Sequence, residues 1–163
     1  MSEQTGTAMQ NHLLGMIRKF GGDPADLPFW EGCEAGRFLL HRCNVCQRHY
    51  WPASRCVKHG DADMAWVEAS GRGRLYTYTV LHRAYTPETR DRVPFVIAVV
   101  HLEEGPFYHS NIVDCAHDAV AIGMSLEAVM TRHPSGLTIP QFRPTSRPAI
   151  APGNVFESGE ENR

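Results

Sequence analysis

Four residues in two pairs constrain this chain more than any other feature: Cys43-Asn44-Val45-Cys46 and, after nine intervening residues, Cys56-Val57-Lys58-His59. The two-residue spacing lets both side chains of a pair reach one ion while the backbone between them turns its N–H groups toward the sulfurs. Two such pairs at short range read as one tetrahedral site of three thiolates and an imidazole, a donor set that suits zinc and for which iron competes. The expected ligands are Cys43, Cys46, Cys56 and His59, with His49, His41 and Cys33 near enough in sequence to replace His59. A lone CxxC can be a pair of ordinary buried cysteines, and a redox CxxC belongs at the start of a helix in a βαβ setting that this sequence lacks. A full Cys/His tetrad leaves no open coordination position, so the expected metal is structural rather than catalytic. The surrounding segment is too short to bury a core, so ligation must supply folding free energy, about 10 kcal/mol or more.

A chain of 163 residues suffices for one medium domain or two small ones, and the change of pattern along it supports two. The formal net charge of -2 argues against a protein whose main task is gripping a polyanion. Five cysteines, an odd number, and an N-terminus without a signal pattern point to a reducing, cytoplasmic setting. No apolar run is long enough to span a bilayer, so no membrane partner is expected.

Residues 1–37 read as a helical segment. Met9, Leu13, Met16, Ile17 and Phe20 recur at helical spacing until Gly21-Gly22, and the stripe they form must dock on this chain or on a partner. A second helix opens at Asp26-Leu27-Pro28, carries Phe29, Trp30 and a core Cys33, and ends near Gly36. Residues 38–63 read as the zinc ribbon, with a strand at Phe38-Leu39-Leu40 delivering the chain to the metal and another near Tyr50-Trp51 leaving it. In residues 64–144 the period changes to two. Leu75, Thr77, Thr79 and Leu81 alternate with Tyr76, Tyr78 and Val80 after a glycine-containing bend at 70–73. Phe95 to Leu102 is nearly continuous in apolar residues and predicts a strand buried on both faces. Glu103-Glu104-Gly105-Pro106 predicts a hairpin, Phe107 to Val113 a third strand, Ser125 to Thr131 a fourth and Leu137 to Phe142 a fifth. Five strands, one long and bent, match an oligonucleotide/oligosaccharide-binding (OB) barrel. Residues 145–163, with Pro148 and Pro152 before an acidic end, read as an extended tail that finishes in disorder.

Pro28-Phe29-Trp30-Glu31, the Cys43-x2-Cys46 knuckle, Trp66 to Gly73, Tyr76 to Val80, Pro94-Phe95-Val96, Leu102 to Pro106 and Ile122-Gly123-Met124 together resemble the acyl-CoA-associated zinc-ribbon/OB-fold family, formerly a domain of unknown function. The resemblance runs from about residue 28 to 144 and departs at the second knuckle, where the family usually has Cys-Pro-x-Cys. It implies a mainly β chain: N-terminal helices, a rubredoxin-like zinc ribbon and a five-stranded OB barrel. It also implies an accessory subunit without catalytic residues of its own. Its partner would be a thiolase-fold enzyme, or in some cases a hotdog-fold enoyl-CoA hydratase, and a bulky aromatic or steroid-type acyl-CoA thioester would be the substrate of the complex.

The residues agree with that expectation, since no convincing catalytic set is visible. Cys115 with Asp114 and His117 suggests thiol chemistry, but neighbours on a strand end need not converge. Coenzyme A carries phosphates that call for arginine, and Arg72, Arg74, Arg83, Arg90 and Arg92 flank the long strand and its following loop. Two rivals follow from the fold. A single-stranded nucleic-acid binder would need stacking faces, which Tyr76 and Tyr78 could provide, together with a basic surplus that is missing. A stand-alone zinc enzyme would need an open ligand position.

Overall fold

Strand β1 (Leu39–Cys43) is the hinge between the two halves of the molecule, because it lies at the centre of one sheet and hands the chain to the metal-ligand loop at its end. The computed structural model describes residues 2–145 apart from Phe20, Ala62 and Thr86; the proline-rich tail and Phe20 of the helical stripe lie outside the described residues. Strand β1 pairs antiparallel with the short β2 (His49–Tyr50) on one side and with β3 (Met64–Glu68) on the other. The ribbon sheet therefore takes in Trp66 and Val67, which follow the ligand loop.

Helix α1 (Ser2–Lys19) begins earlier than the apolar stripe suggests and ends at Gly21, whose φ of 72° suits only glycine without strain. Leu13 and Ile17 are 1% and 2% exposed, so the centre of the stripe is covered by this chain, and among its described residues only Met9, at 43%, stays open. The docking helix sought for a partner is thus largely spent internally. A buried row recovers more free energy packed at home than left in water. Helix α2 (Leu27–Glu34) carries Pro28 in its first turn and is closed beyond its end by the Gly36 and Arg37 N–H groups, which return to the carbonyls of Cys33 and Gly32. Gly32 lets α2 lie directly on β1, since a Cβ there would sit 2.8 Å from Leu39 Cγ.

Strands β4 (Arg72–Leu81), β5 (Phe95–Leu102), β6 (Phe107–Ile112), β7 (Ser125–Arg132) and β8 (Thr138–Pro144) close into a barrel in the order β4-β5-β6-β8-β7. Closure needs one parallel contact, between β6 and β8 at Ile112 and Phe142, and this leaves no free barrel edge.

Two expectations about strand faces are corrected. An extra residue at Tyr76 makes a bulge, with Leu75 opposite Val100 and Thr77 opposite Val99. The bulge shifts the alternation by one, so Leu75, Tyr78 and Val80 turn inward while Tyr76, Thr77 and Thr79 turn outward. The bulge lies beyond the glycine-containing bend that was its expected position. Strand β5 is buried on one face rather than two: Val96, Ala98, Val100 and Leu102 fill the barrel, and Ile97 is 37% exposed. Its neighbours are antiparallel, and among the described residues no layer covers the outer side.

A single core crosses from the helices to the barrel. Phe29 of α2 meets Trp51 of the ribbon with ring centroids 4.5 Å apart, Trp51 meets Tyr108 of β6 at 4.9 Å, and Phe38 meets Tyr108 at 5.1 Å. Cys33 is fully buried in this core, in agreement with its reading as a packing residue.

Candidate metal centre

The two ligand pairs fold into near-copies of one turn. In the first, the Gln47 N–H donates to the Cys43 carbonyl at 2.8 Å, and Gln47 takes a φ of 59°. In the second, the Gly60 N–H donates to the Cys56 carbonyl at 2.9 Å, and Gly60 takes a φ of 73°. His59 therefore occupies in its knuckle the place that Cys46 occupies in the other. The knuckles are also pinned from outside: Asn44 donates through its backbone and its side chain to Asp63, each at 2.9 Å.

Donor atoms of Cys43, Cys46, Cys56 and His59 all lie within 4.8 Å of one another. The Sγ atoms of Cys46 and Cys56 are 3.7 Å apart, and His59 Nδ1 is 3.5 Å from the Sγ of both Cys43 and Cys56. A tetrahedral ion with metal–sulfur bonds of about 2.3 Å and metal–nitrogen bonds of about 2.0 Å needs sulfur–sulfur edges near 3.8 Å and sulfur–nitrogen edges near 3.6 Å. These residues fit such an ion, and the site can hold a metal with His59 bound through Nδ1. Cys43 and Cys56 are buried, whereas Cys46 and His59 face solvent.

The surroundings favour a thiolate at Cys56. A hydrogen bond with the Tyr50 hydroxyl at 3.2 Å, opposed by burial and aided by the N–H groups of Lys58 and His59, holds this thiol down at about 5. Tyr50 is a contributor that the ligand spacing does not reveal. The alternative ligands stand elsewhere. Cys33 lies in the core, its thiol pushed up to about 12 by burial and then by the charge of Glu34. His41 stacks on Trp66 at 3.6 Å with both ring nitrogens buried and unpartnered, and burial depresses its imidazole below the ordinary value. His49 pairs with Arg42 across the β1–β2 ladder and is not among the four converging donors.

The five arginines do not form one cluster. Arg72 and Arg74 lie at the start of β4, with Arg74 donating to the Gly123 carbonyl at 3.2 Å. Arg83 follows the other end of that ten-residue strand, about 30 Å away if the strand were fully extended. Arg90 and Arg92 sit in a short 3-10 turn (Pro87–Arg92), and Arg92 donates to His133 Nε2 at 3.1 Å. Cys115 donates to the Ala116 carbonyl rather than to Asp114 or His117. His117 meets His82 edge-on instead, at 5.8 Å. Tyr78, expected as a stacking face, turns into the barrel and donates to the Val120 carbonyl at 3.0 Å. No described helix is long and apolar enough to cross a membrane.

A ribbon whose Cys/His tetrad can bind a metal, joined through a common core to a closed OB barrel, defines the class of protein. Residues 66–131 match the family described as the C-terminal OB-fold domain of ChsH2. A DUF35 domain-containing scaffold protein of Methanocaldococcus jannaschii is 39% identical over 93 residues, which cover 56% of this chain and 65% of that one. A solved chain described as the Ltp2-ChsH2(DUF35) aldolase superposes with a TM-score of 0.65 at 33% identity, over 73% of this chain and 93% of that one. The chain belongs to the DUF35 family. It is also similar, at 36% identity over 73% of its length, to a probable enoyl-CoA hydratase alpha subunit of Thermomonospora curvata, of which the match spans 37%.

Proposed function

We propose that this chain is a non-catalytic subunit that assembles with a thiolase-fold enzyme and supports carbon–carbon bond cleavage or formation next to an acyl-CoA thioester. The observation that carries the reading is the likeness to the ChsH2 chain of the Ltp2-ChsH2 aldolase, which covers nearly all of that chain. The site chemistry supports it. Four donors would fill the coordination sphere of a zinc ion, which when bound supplies structural cross-linking of the ribbon and leaves no position for a substrate oxygen. Ser135 is hydrogen-bonded to His133 Nδ1 at 2.9 Å, but the other ring nitrogen meets the Arg92 guanidinium at 3.1 Å, a cation that opposes the imidazolium a general base must form, so the nucleophile and acid/base groups are assigned to the partner. Aromatic or steroid-type acyl groups suit such a complex. Arg72, Arg74, Arg83, Arg90 and Arg92 would meet CoA phosphates at separate points of an extended ligand.

A second reading is favoured by the likeness to a hydratase alpha subunit: the partner is then a hotdog-fold enoyl-CoA hydratase. Co-expression with a tagged thiolase-fold protein, and separately with a tagged hydratase, distinguishes the two. The proposal expects a stable complex and acyl-CoA carbon–carbon chemistry only in the thiolase pairing, with no thioester turnover by the isolated chain. Turnover by the isolated chain would overturn the accessory role. A complex formed only with the hydratase would select the second reading.

A further inference from the structure

We propose that a ledge of three rings on the outer face of the barrel, Tyr76, His101 and Phe107, is a stacking site for the purine of a nucleotide whose phosphate is met by Arg72 and Arg74. This deepens the CoA reading above by assigning the nucleotide end of the substrate to this face.

The register brings the ledge together. Arg74 stands opposite His101, and His101 stands opposite Phe107, so one outward row crosses β4, β5 and β6. The bulge at Tyr76 adds a ring beside that row, with Tyr76 and Phe107 centroids 4.8 Å apart and His101 stacked on Phe107 at 4.7 Å with planes 23° apart. Tyr76 and Phe107 are nevertheless 44% and 45% exposed, while Tyr108 on the opposite face of β6 is 6% exposed. Tyr76 is tilted by 59° to Phe107, so the three grouped rings form a shallow exposed corner against which a further planar ring can stack.

The charge at the same end is complementary to phosphate. Arg72 points to the same side as Arg74, two residues earlier on β4. Arg72 faces Glu127 across the β4–β7 ladder, but Glu127 accepts from Arg143 Nε at 2.9 Å. The row of two arginines and one glutamate thus carries a surplus positive charge, and the Arg72 guanidinium has no partner among the described residues. Of the nearby hairpin acids, Glu104 accepts from the Ser70 N–H at 2.7 Å and Glu103 remains solvated. A single-stranded nucleic acid would need successive platforms along a basic groove. Here there is one ledge on a chain of net charge -2.

The test uses the full-length, metal-loaded chain and adenosine 3′,5′-bisphosphate, adenosine and a single-stranded oligonucleotide as probes, followed by NMR of the aromatic side chains and by calorimetry. The bisphosphate should saturate and shift Tyr76, His101 and Phe107. Tyr76→Ser and Phe107→Ser should each weaken it about tenfold or more, and Phe107→Tyr should retain it. Arg72→Gln should weaken the bisphosphate but not adenosine, whereas Arg48→Gln on the ribbon should change neither. Unchanged circular dichroism and metal content establish that the variants fold. Absence of ring shifts at millimolar bisphosphate, shifts confined to other surfaces, or tighter binding of the oligonucleotide than of the nucleotide would each overturn the assignment. A silent ledge in a complex that still assembles and turns over refutes this inference alone. Nucleotide binding at the ledge by a chain that forms no complex with a thiolase-fold protein on co-expression refutes only the subunit reading.

Discussion

Gln47 and Gly60 hold the same left-handed backbone position after the second ligand of their knuckles, and that equivalence gives the argument for His59. If His59 completes the tetrad as Cys46 does, replacing it by alanine removes a donor from an ion that the other three cannot enclose. His59→Ala should therefore lower metal content well below one equivalent and leave the loop from 43 to 60 sensitive to protease, while His59→Cys should restore both; metal analysis with limited proteolysis decides this. Cys43→Ser should be worse, because Cys43 closes β1 and is buried. Residue patterns made the three cysteine donors legible through their spacing, whereas His59 had His49, His41 and Cys33 as rivals that only the convergence of donor atoms separates from it. Tyr50 was not legible as a neighbour of Cys56, because that contact depends on the β1–β2 pairing rather than on any spacing between the two.

Elements are fastened to one another by a few groups of unequal value. Glu34 at the end of α2 takes two hydrogen bonds from Arg132 Nη1, at 2.7 and 2.9 Å, and one from the Thr138 N–H at 3.1 Å. The Arg132 side chain is 59% exposed, so losing the ion pair alone should cost under about 1 kcal/mol. Glu34→Ala also strands a part-buried backbone N–H and should cost about 2 kcal/mol. Equal losses for Arg132→Ala and Glu34→Ala in urea unfolding would contradict this division. Helix α1 offers a larger effect: Leu13→Ala should cost about 2 to 5 kcal/mol if the helix melts together with the rest of the molecule. Strand β5 was predicted with its observed limits because Pro94 and the Glu103–Pro106 turn punctuate it on both sides. The phase of β4 was not, because a bulge at Tyr76 has no composition of its own and arises from fitting a ten-residue strand around a closing barrel.

Across the whole molecule, protons should act through the buried His41 and the partly buried His49 and His133. Burial first, and then the guanidinium of Arg92, hold His133 below its ordinary value of 6.5. Burial does the same at His41 and His49. The unfolded chain accepts protons near pH 6.5 that the folded chain refuses until lower pH, so this stability is fully present above about 6.5 and is lost as pH falls below it. Thermal melts should shift downward between pH 7.5 and 5.5, and His133→Asn should remove part of the slope; a flat profile would refute the burial argument. The ring contacts from Phe29 through Trp51 to Tyr108 carry a further consequence. A ribbon and a barrel that share aromatic packing cannot melt independently, so the chain should show one calorimetric transition rather than two. Because an ion bound only by the folded form stabilises it by mass action, the midpoint of that single transition should climb with free zinc concentration. The supply of zinc thereby becomes a control on the persistence of a barrel that contributes no ligand to it.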